Sequence, residues 1–102
     1  MYLIQLLLPL HDNERNEFTP EEYTSVRSEL TERFGGLTVY TRAPALGLWK
    51  PNGSEASRDD IVIFEVMADQ LDVDWWSDYK HDLAQRFRQE MLVIRVQEMR
   101  LL

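Results

Sequence analysis

The stretch IVIFEVM at residues 61–67 decides the fold predicted for this chain. Its β-branched and aromatic residues form an apolar run that only Glu65 interrupts, which is typical of a central strand buried on both faces. The stretch YLIQLLLP at residues 2–9 has a similar character, with Gln5 inside it and Pro9 at its end. We therefore expect two strands whose apolar side chains face both sides of one sheet.

Between these two strands the sequence predicts a helix over about 20–34. Thr19 is suited to the N-cap, Pro20 to the first helical position, and Gly35 and Gly36 to a left-handed stop. Four apolar residues at steps of three and four form the stripe that should face the core: Tyr23, Val26, Leu30 and Phe34.

A second helix should follow the 61–67 strand, with Asp72 as its N-cap and its end near Gln89. Residues 91–99 then predict a closing strand. The apolar stripe of the second helix consists of Trp76, Tyr79, Leu83 and Phe87.

The region between the first helix and residue 61 is less regular. Residues 37–42 alternate apolar and polar side chains, which predicts a strand at the edge of the sheet. From 43 to 60 the sequence contains Pro44, Gly47 and a Pro-Asn-Gly turn at 51–53, and these residues interrupt any strand pattern. We therefore expect a long loop over 43–60.

The resulting order, β-α-β-β-α-β, predicts an α+β domain of the ferredoxin-like type over residues 1–102. Two right-handed split crossovers lay both helices on the same face of a four-stranded antiparallel sheet. The covered face should hold the even-numbered apolar residues of the strands: Ile4, Leu6, Leu8, Val62, Phe64, Val66, Leu92, Ile94 and Val96.

The opposite side of the sheet, called the outer face below, is left without a helix. Each of its large aliphatic residues would contribute roughly 1.5–3 kcal/mol if it were fully buried. We therefore expect two such sheets to pack face to face as a barrel-like homodimer, although the 43–60 segment is long enough to fold over the face instead. The aliphatic residues concerned are Leu3, Leu7, Ile61, Ile63 and Val93.

Polar side chains share the outer face with these aliphatic residues. Strand parity places Gln5, Glu65 and Arg95 there, with Tyr40 and Arg42 joining them from the edge strand. One interpretation is a pocket in which the arginines hold an anionic group and Glu65 acts as a base or an orienting acceptor. The other is an ion pair of Glu65 with Arg95 or Arg42 at the dimer interface.

Two further residues are candidates for the same site. His11 follows the first strand and could act as an acid or base near neutral pH, although a solvated loop histidine is the simpler interpretation. Trp49 lies in the 43–60 segment and could cover a ligand, or it could pack in a core or interface. The predicted catalytic residues are thus Glu65, Arg95 and His11, and the predicted ligand-binding residues are Gln5, Tyr40, Arg42 and Trp49.

Composition limits the partners that can be expected. The net charge of −7 repels nucleic-acid phosphates and anionic lipid surfaces, so we expect neither nucleic acid nor a membrane as a partner. The chain contains no cysteine and only two histidines, far apart in sequence, so we expect no metal site, no cofactor and a cytoplasmic location. A small anionic or aromatic molecule is the expected ligand.

Several runs look like those of a family of small bacterial proteins to which no activity is assigned. The resemblance spans nearly the whole chain, and its order of elements is similar to the dimeric α/β-barrel superfamily. That superfamily implies a dimer and includes cofactor-independent monooxygenases, isomerases, lyases and binding proteins, without a catalytic residue to carry over. The runs are LLLPL at 6–10, ERFGGLT at 32–38, RAP at 42–44 with Gly47 and Trp49, and DIVIFEVM at 60–67.

Three functions are therefore open at the level of sequence. The first is a cofactor-independent small-molecule enzyme, of monooxygenase or isomerase type, acting in a cleft on the sheet. The second is a ligand-binding or regulatory module that uses the same cleft without turnover. The third is a homodimer whose outer-face polar groups only pair with one another.

Overall fold

A computed structural model describes the backbone of residues 1–49 and 57–102 and the side chains of residues 1–40 and 61–102. Two helices and a four-stranded antiparallel sheet follow one another in the predicted βαββαβ order, which confirms the α+β fold class. The elements are β1 (Tyr2–Pro9), α1 (Pro20–Phe34), β2 (Thr38–Trp49), β3 (Ser57–Ala68), α2 (Val73–Arg86) and β4 (Val93–Glu98).

The strands lie in the order β2-β3-β1-β4, and every neighbouring pair is antiparallel. The two apolar stretches are therefore the central strands, as predicted, and β2 is an edge strand, also as predicted. The register places Gln5 of β1 between Glu65 of β3 and Arg95 of β4. One row across the middle of the sheet thus contains three polar residues.

The predicted long loop over 43–60 is wrong. β2 continues to Trp49 and pairs with β3 from Ser57 onward, so the backbone of most of this segment forms a hairpin ladder. A register shift between Tyr40 and Ala45 marks an irregularity at the position of Pro44. An edge strand tolerates a proline at such a bulge because its outward side needs no ladder hydrogen bond.

The helix ends follow the sequence signals in part. Gly35 ends α1 in the left-handed conformation, at φ 78°, and its N–H donates to the carbonyl of Thr31. Asp72 caps α2 by accepting a hydrogen bond from the N–H of Trp75 at 3.0 Å, as predicted. Thr19 occupies the N-cap position of α1, but its side chain makes no capping hydrogen bond. Helix α2 also ends at Arg86, three residues before the predicted end.

The core lies between the helices and the covered face of the sheet. Leu6, Leu8 and Phe64 are fully buried there, together with the predicted stripe of α2 and with Val26 and Leu30 of α1. The other two predicted stripe residues of α1, Tyr23 and Phe34, are only partly buried. Two predicted covered-face residues of β4 are exceptions, because this strand lies at the edge of the sheet: Ile94 is only partly buried and Val96 has 46% of its surface exposed. The other buried residues are Ile4, Phe18, Val26, Leu30, Val62, Val66, Trp76, Tyr79, Leu83, Phe87 and Leu92.

A charged network joins the two helices on their solvent side. The guanidinium of Arg86 on α2 donates to both carboxylate oxygens of Glu29 on α1, at 2.5 and 2.8 Å, and also to Asp82 at 2.6 Å. A two-pronged bond of this kind fixes the relative position of two helices better than a single contact does. Across the described ranges, neither helix has the length and apolar character that a membrane crossing requires.

Candidate functional site

The outer face of the sheet is partly open to solvent, whereas the helices bury the other face. Leu3, Leu7 and Ile63 are half-buried on it, and Met67 and Val93 are 50% and 43% exposed. Adjacent residues of one strand therefore differ in solvent exposure, since Leu6 and Phe64 on the covered face have no exposed surface. After the helices have packed, the outer face therefore keeps a group of partly exposed apolar side chains.

A chain of hydrogen bonds, called the polar row below, crosses this face. Arg95 Nε donates to Gln5 Oε1 at 2.7 Å, and Gln5 Nε2 donates to Glu65 Oε1 at 2.5 Å. The Tyr40 hydroxyl donates to Glu65 Oε2 at 3.1 Å. The structure thus brings together four of the predicted site residues, one from each strand of the sheet.

Strand pairing explains why Glu65 and Arg95 do not touch. Gln5 lies between them in the register, and two strand spacings of about 4.8 Å hold their backbones about 10 Å apart. Among the described residues, no carboxylate lies within ion-pair distance of Arg95. The direct Glu65–Arg95 pair considered from sequence is therefore not formed within the chain.

Tyr40 reports on the electrostatics of the polar row. It is 47% exposed, yet its pKa lies above the ordinary value because its hydroxyl is hydrogen-bonded to the Glu65 carboxylate, whose negative charge disfavours a phenolate beside it. Tyr40 is therefore held as a neutral donor. Both oxygens of Glu65 accept hydrogen bonds, which makes this side chain a positioned acceptor.

A depression of about 280 Å³ opens beside Glu65, where α1 ends and β2 begins. A Cβ at Gly36 would meet no atom within 4 Å, so the floor of the depression is open there. Sequence reasoning missed this depression because it interpreted Gly35 and Gly36 only as a helix stop. The other lining residues are Leu3, Phe34, Leu37, Thr38, Val66 and Met67.

Of the remaining predicted site residues, His11 has a described side chain, and it lies outside the polar row. His11 forms an isolated bridge with Glu17, and its Nε2 lies 3.7 Å from the Glu17 carboxylate, away from the polar row. The side chains of Arg42 and Trp49 lie outside the described residues. His81 is exposed on α2, as its position off the apolar stripe predicts.

A second depression, of about 400 Å³, lies in the helix layer between the end of α1 and the start of α2. Arg33 spans its rim, with its guanidinium 4.1 Å from the centre of the Trp75 ring and 3.8 Å from the Asp72 carboxylate. The arginine charge is thus already matched by an aromatic face and a carboxylate. This arrangement is sufficient to explain the cluster as a contact between helices.

No family model and no curated protein matches the chain. Among solved structures, it is similar to a phage SAM lyase in complex with S-methyl-5'-thioadenosine, with a TM-score of 0.63 and 13% identity over 95% of this chain and 80% of that one. It is also similar to the PII-like protein CutA from Nostoc sp. PCC 7120 in apo form, with a TM-score of 0.54 and 16% identity over 97% and 81%. These similarities confirm the ferredoxin-like fold.

Proposed function

We propose that this protein binds a small organic anion on the outer face of its sheet, as a homodimer in which a second copy closes the site. One observation carries the proposal. The polar row lies on the face that the helices leave open, and its Glu65 is one of the residues that line a depression of about 280 Å³.

The polar row suits a ligand with an acidic group. Arg95 has its Nε bonded to Gln5, which orients the guanidinium while its Nη groups remain available to a carboxylate or phosphate. Glu65 is a fixed acceptor for a hydroxyl or amine of the same molecule. Phe34 and Leu37 line the depression, so an apolar or aromatic body fits there.

The aliphatic residues around the polar row support the homodimer. Leu3, Leu7 and Ile63 stay partly exposed in one copy. Complete burial of such side chains is worth roughly 1.5–3 kcal/mol each, and the part still exposed gives the corresponding share of that value. A second copy of the same face would remove this surface from water. It would also exclude water from the polar row, which strengthens the electrostatic contacts that hold an anion.

A cofactor-independent enzyme of monooxygenase or isomerase type is the second candidate. The position of Glu65 in the lining of the depression favours it, because a substrate placed there could give up a proton to Glu65. The similarity to a lyase that holds S-methyl-5'-thioadenosine makes this nucleoside a rational first probe. In the enzyme, Glu65 would be the base and Arg95 the anchor of the substrate.

Native mass spectrometry of protein isolated from cells tests the binding site. We expect the wild type to retain a small molecule, and Glu65→Gln and Arg95→Gln to lose it. Glu98→Gln is the matched control, because it removes an exposed carboxylate from the same sheet. Equal retention by all four proteins, or none by the wild type, would contradict the proposal.

Turnover of the identified ligand separates the two candidates. If the protein is an enzyme, Glu65→Gln should lower kcat by about 100-fold or more, the usual contribution of a positioned base. If the wild type binds the molecule and returns it unchanged, the binding module is correct and the enzyme is not.

A further inference from the structure

We propose that two copies pack outer face to outer face about a two-fold axis nearly parallel to β1, so that the partner's Arg95 meets Glu65 of each copy. This assignment rests on the proposed function only for the identity of the site. The geometry of association follows from the register of the sheet and can be tested without any ligand.

Three rows of side chains cross the outer face at right angles to the strands. The register gives each row one residue from β4, one from β1 and one from β3. The first row is apolar, the second carries one positive and one negative end, and the third is mixed. In that order they are Val93, Leu7 and Ile63; Arg95, Gln5 and Glu65; and Gln97, Leu3 and Met67.

An axis along β1 places each row on the same row of the partner, with the β3 end of one row on the β4 end of the other. Glu65 then faces the partner's Arg95, Ile63 faces the partner's Val93, and Gln5 faces its own copy. Both charged contacts are attractive, and the apolar row packs on an apolar row. Because the axis is two-fold, each contact occurs twice: Glu65 faces the partner's Arg95, and Arg95 faces the partner's Glu65.

The alternative axis, across the strands, gives a poor fit. It would place Arg95 on the partner's Arg95 and Glu65 on the partner's Glu65. Like charges opposed in a closing interface cost several kcal/mol, so this arrangement is disfavoured. The charge pattern therefore selects one direction of the axis from the two that face-to-face packing allows.

The distances permit the contact between copies. Packed sheets lie about 10 Å apart, a gap that an arginine and a glutamate side chain span together. Glu65 cannot reach Arg95 of its own chain because Gln5 lies between them. The bond from Arg95 Nε to Gln5 leaves two Nη groups, of which one can meet the partner's Glu65 and the other the acidic group of a ligand.

The strand order leaves part of the site open in this dimer. β2 lies beyond β3, so the partner's β4 covers β3 while β2 extends past it. Tyr40 and Thr38 of β2 then flank a cleft whose inner wall is Glu65 with the partner's Arg95. The ligand site is therefore composite, and a single copy holds only half of it.

Charge reversal tests the arrangement by sedimentation velocity over a range of concentrations. Glu65→Arg or Arg95→Glu alone makes both contacts between copies repulsive, and should weaken self-association on the order of 100-fold. The double variant Glu65→Arg/Arg95→Glu restores opposite charges and should associate within about tenfold of the wild type. Glu32→Arg, an exposed residue of α1 with the same change in charge, should associate like the wild type.

Several results would overturn the assignment. A wild type that stays monomeric or sediments as a trimer would do so, and so would single variants that associate as the wild type does. If monomeric wild type still retains its small molecule, this assignment and the homodimer fail, while the binding of a small anion on the outer face stands. Circular dichroism of each variant separates lost association from lost folding.

Cross-linking gives a second measurement that does not depend on charge. The chain has no cysteine, so one introduced thiol is unique. An axis along β1 predicts that a short bifunctional thiol reagent joins two copies of Gln5→Cys, whereas two copies of Ser28→Cys, exposed on α1, remain separate. Glu65→Cys should cross-link to Arg95→Cys in a mixture better than either does to itself. Self-linkage of Glu65→Cys above the mixed product would contradict the axis.

Discussion

The two faces of one sheet differ although the same four strands build both. On the covered face, Leu6 and Phe64 pack against two helices and have no exposed surface. On the outer face, their neighbours Leu7 and Ile63 are half-buried and surround a row of hydrogen-bonded polar groups. The covered face is explained by the stability of one chain, whereas the outer face keeps aliphatic side chains partly exposed around its polar groups.

Truncating adjacent leucines is the most direct way to break this comparison. Leu6→Ala should lower the free energy of unfolding by about 2–5 kcal/mol, because it leaves a cavity in the core. Leu7→Ala should cost about 1 kcal/mol in dilute protein, since Leu7 is already partly hydrated there. Urea unfolding at low protein concentration measures both, and equal losses would show that the outer face is covered within one chain.

The contact between the helices that form the covered face should have a smaller effect. Glu29→Gln removes one charge from the two-pronged bond to Arg86 and should cost about 1 kcal/mol, because both groups are partly exposed. Asp82→Asn, which weakens the bond within α2, should cost only about 0.3–0.5 kcal/mol. Urea unfolding compares them, and a larger loss from Asp82→Asn would contradict the role given to Glu29.

The two helix starts allow a matched test of similar size. Asp72→Ala should cost about 1 kcal/mol, because it removes the hydrogen bond to the N–H of Trp75. Thr19→Ala should cost less than about 0.5 kcal/mol, because its side chain makes no such bond. Thermal unfolding of both variants is the measurement, and equal shifts in Tm would be inconsistent with the capping difference.

Two tyrosines sharpen the comparison in their titration. Burial raises the pKa of Tyr23 to about 12, and its hydroxyl donates to the carbonyl of Pro9. The pKa of Tyr40 is raised mainly by its hydrogen bond to Glu65. Glu65→Gln should therefore move the pKa of Tyr40 down towards its ordinary value and leave that of Tyr23 unchanged. Phenolate absorbance of Tyr40→Phe and Tyr23→Phe variants assigns each transition.

The free energy of unfolding should decrease at alkaline pH as Tyr23 loses its proton. The folded state holds the Tyr23 proton more tightly than the unfolded chain, whose phenol has the ordinary value of 10.0. This contribution is complete below about pH 10 and is lost as the pH rises through about 12. Tyr23→Phe should remove that alkaline decline, and an unchanged decline would assign it to another group.

The fold was predictable because its signals are local. The apolar run at 61–67 and the cap at Asp72 each act over a few residues, and the structure follows both. The strand pairing of 43–49 with 57–60 was missed because Pro44 and Gly47 interrupt the local pattern, while the ladder depends on pairing with a partner strand. Edge strands accept such residues, and the sequence alone does not show what lies beside them.

The sequence was enough to predict which residues form the candidate site, but not the order in which they lie across the sheet. Strand parity was enough to place Gln5, Glu65 and Arg95 on one face. That Gln5 separates the two charges follows from the register of three strands, which no local pattern fixes. The depression at Gly36 is a property of open space between elements, and a sequence records no signal for it.

The central position of β1 has a consequence for synthesis on the ribosome. Its Gln5 bonds to Glu65 and Arg95, which follow it by 60 and 90 residues. β1 is therefore synthesised before β3 and β4, and it stays unpaired, with two apolar faces exposed, until both strands have been made. Chains with such long-range pairing fold slowly, and their unpaired edges invite aggregation. β1 of this protein therefore cannot complete its pairing until β4 has left the exit tunnel of the ribosome.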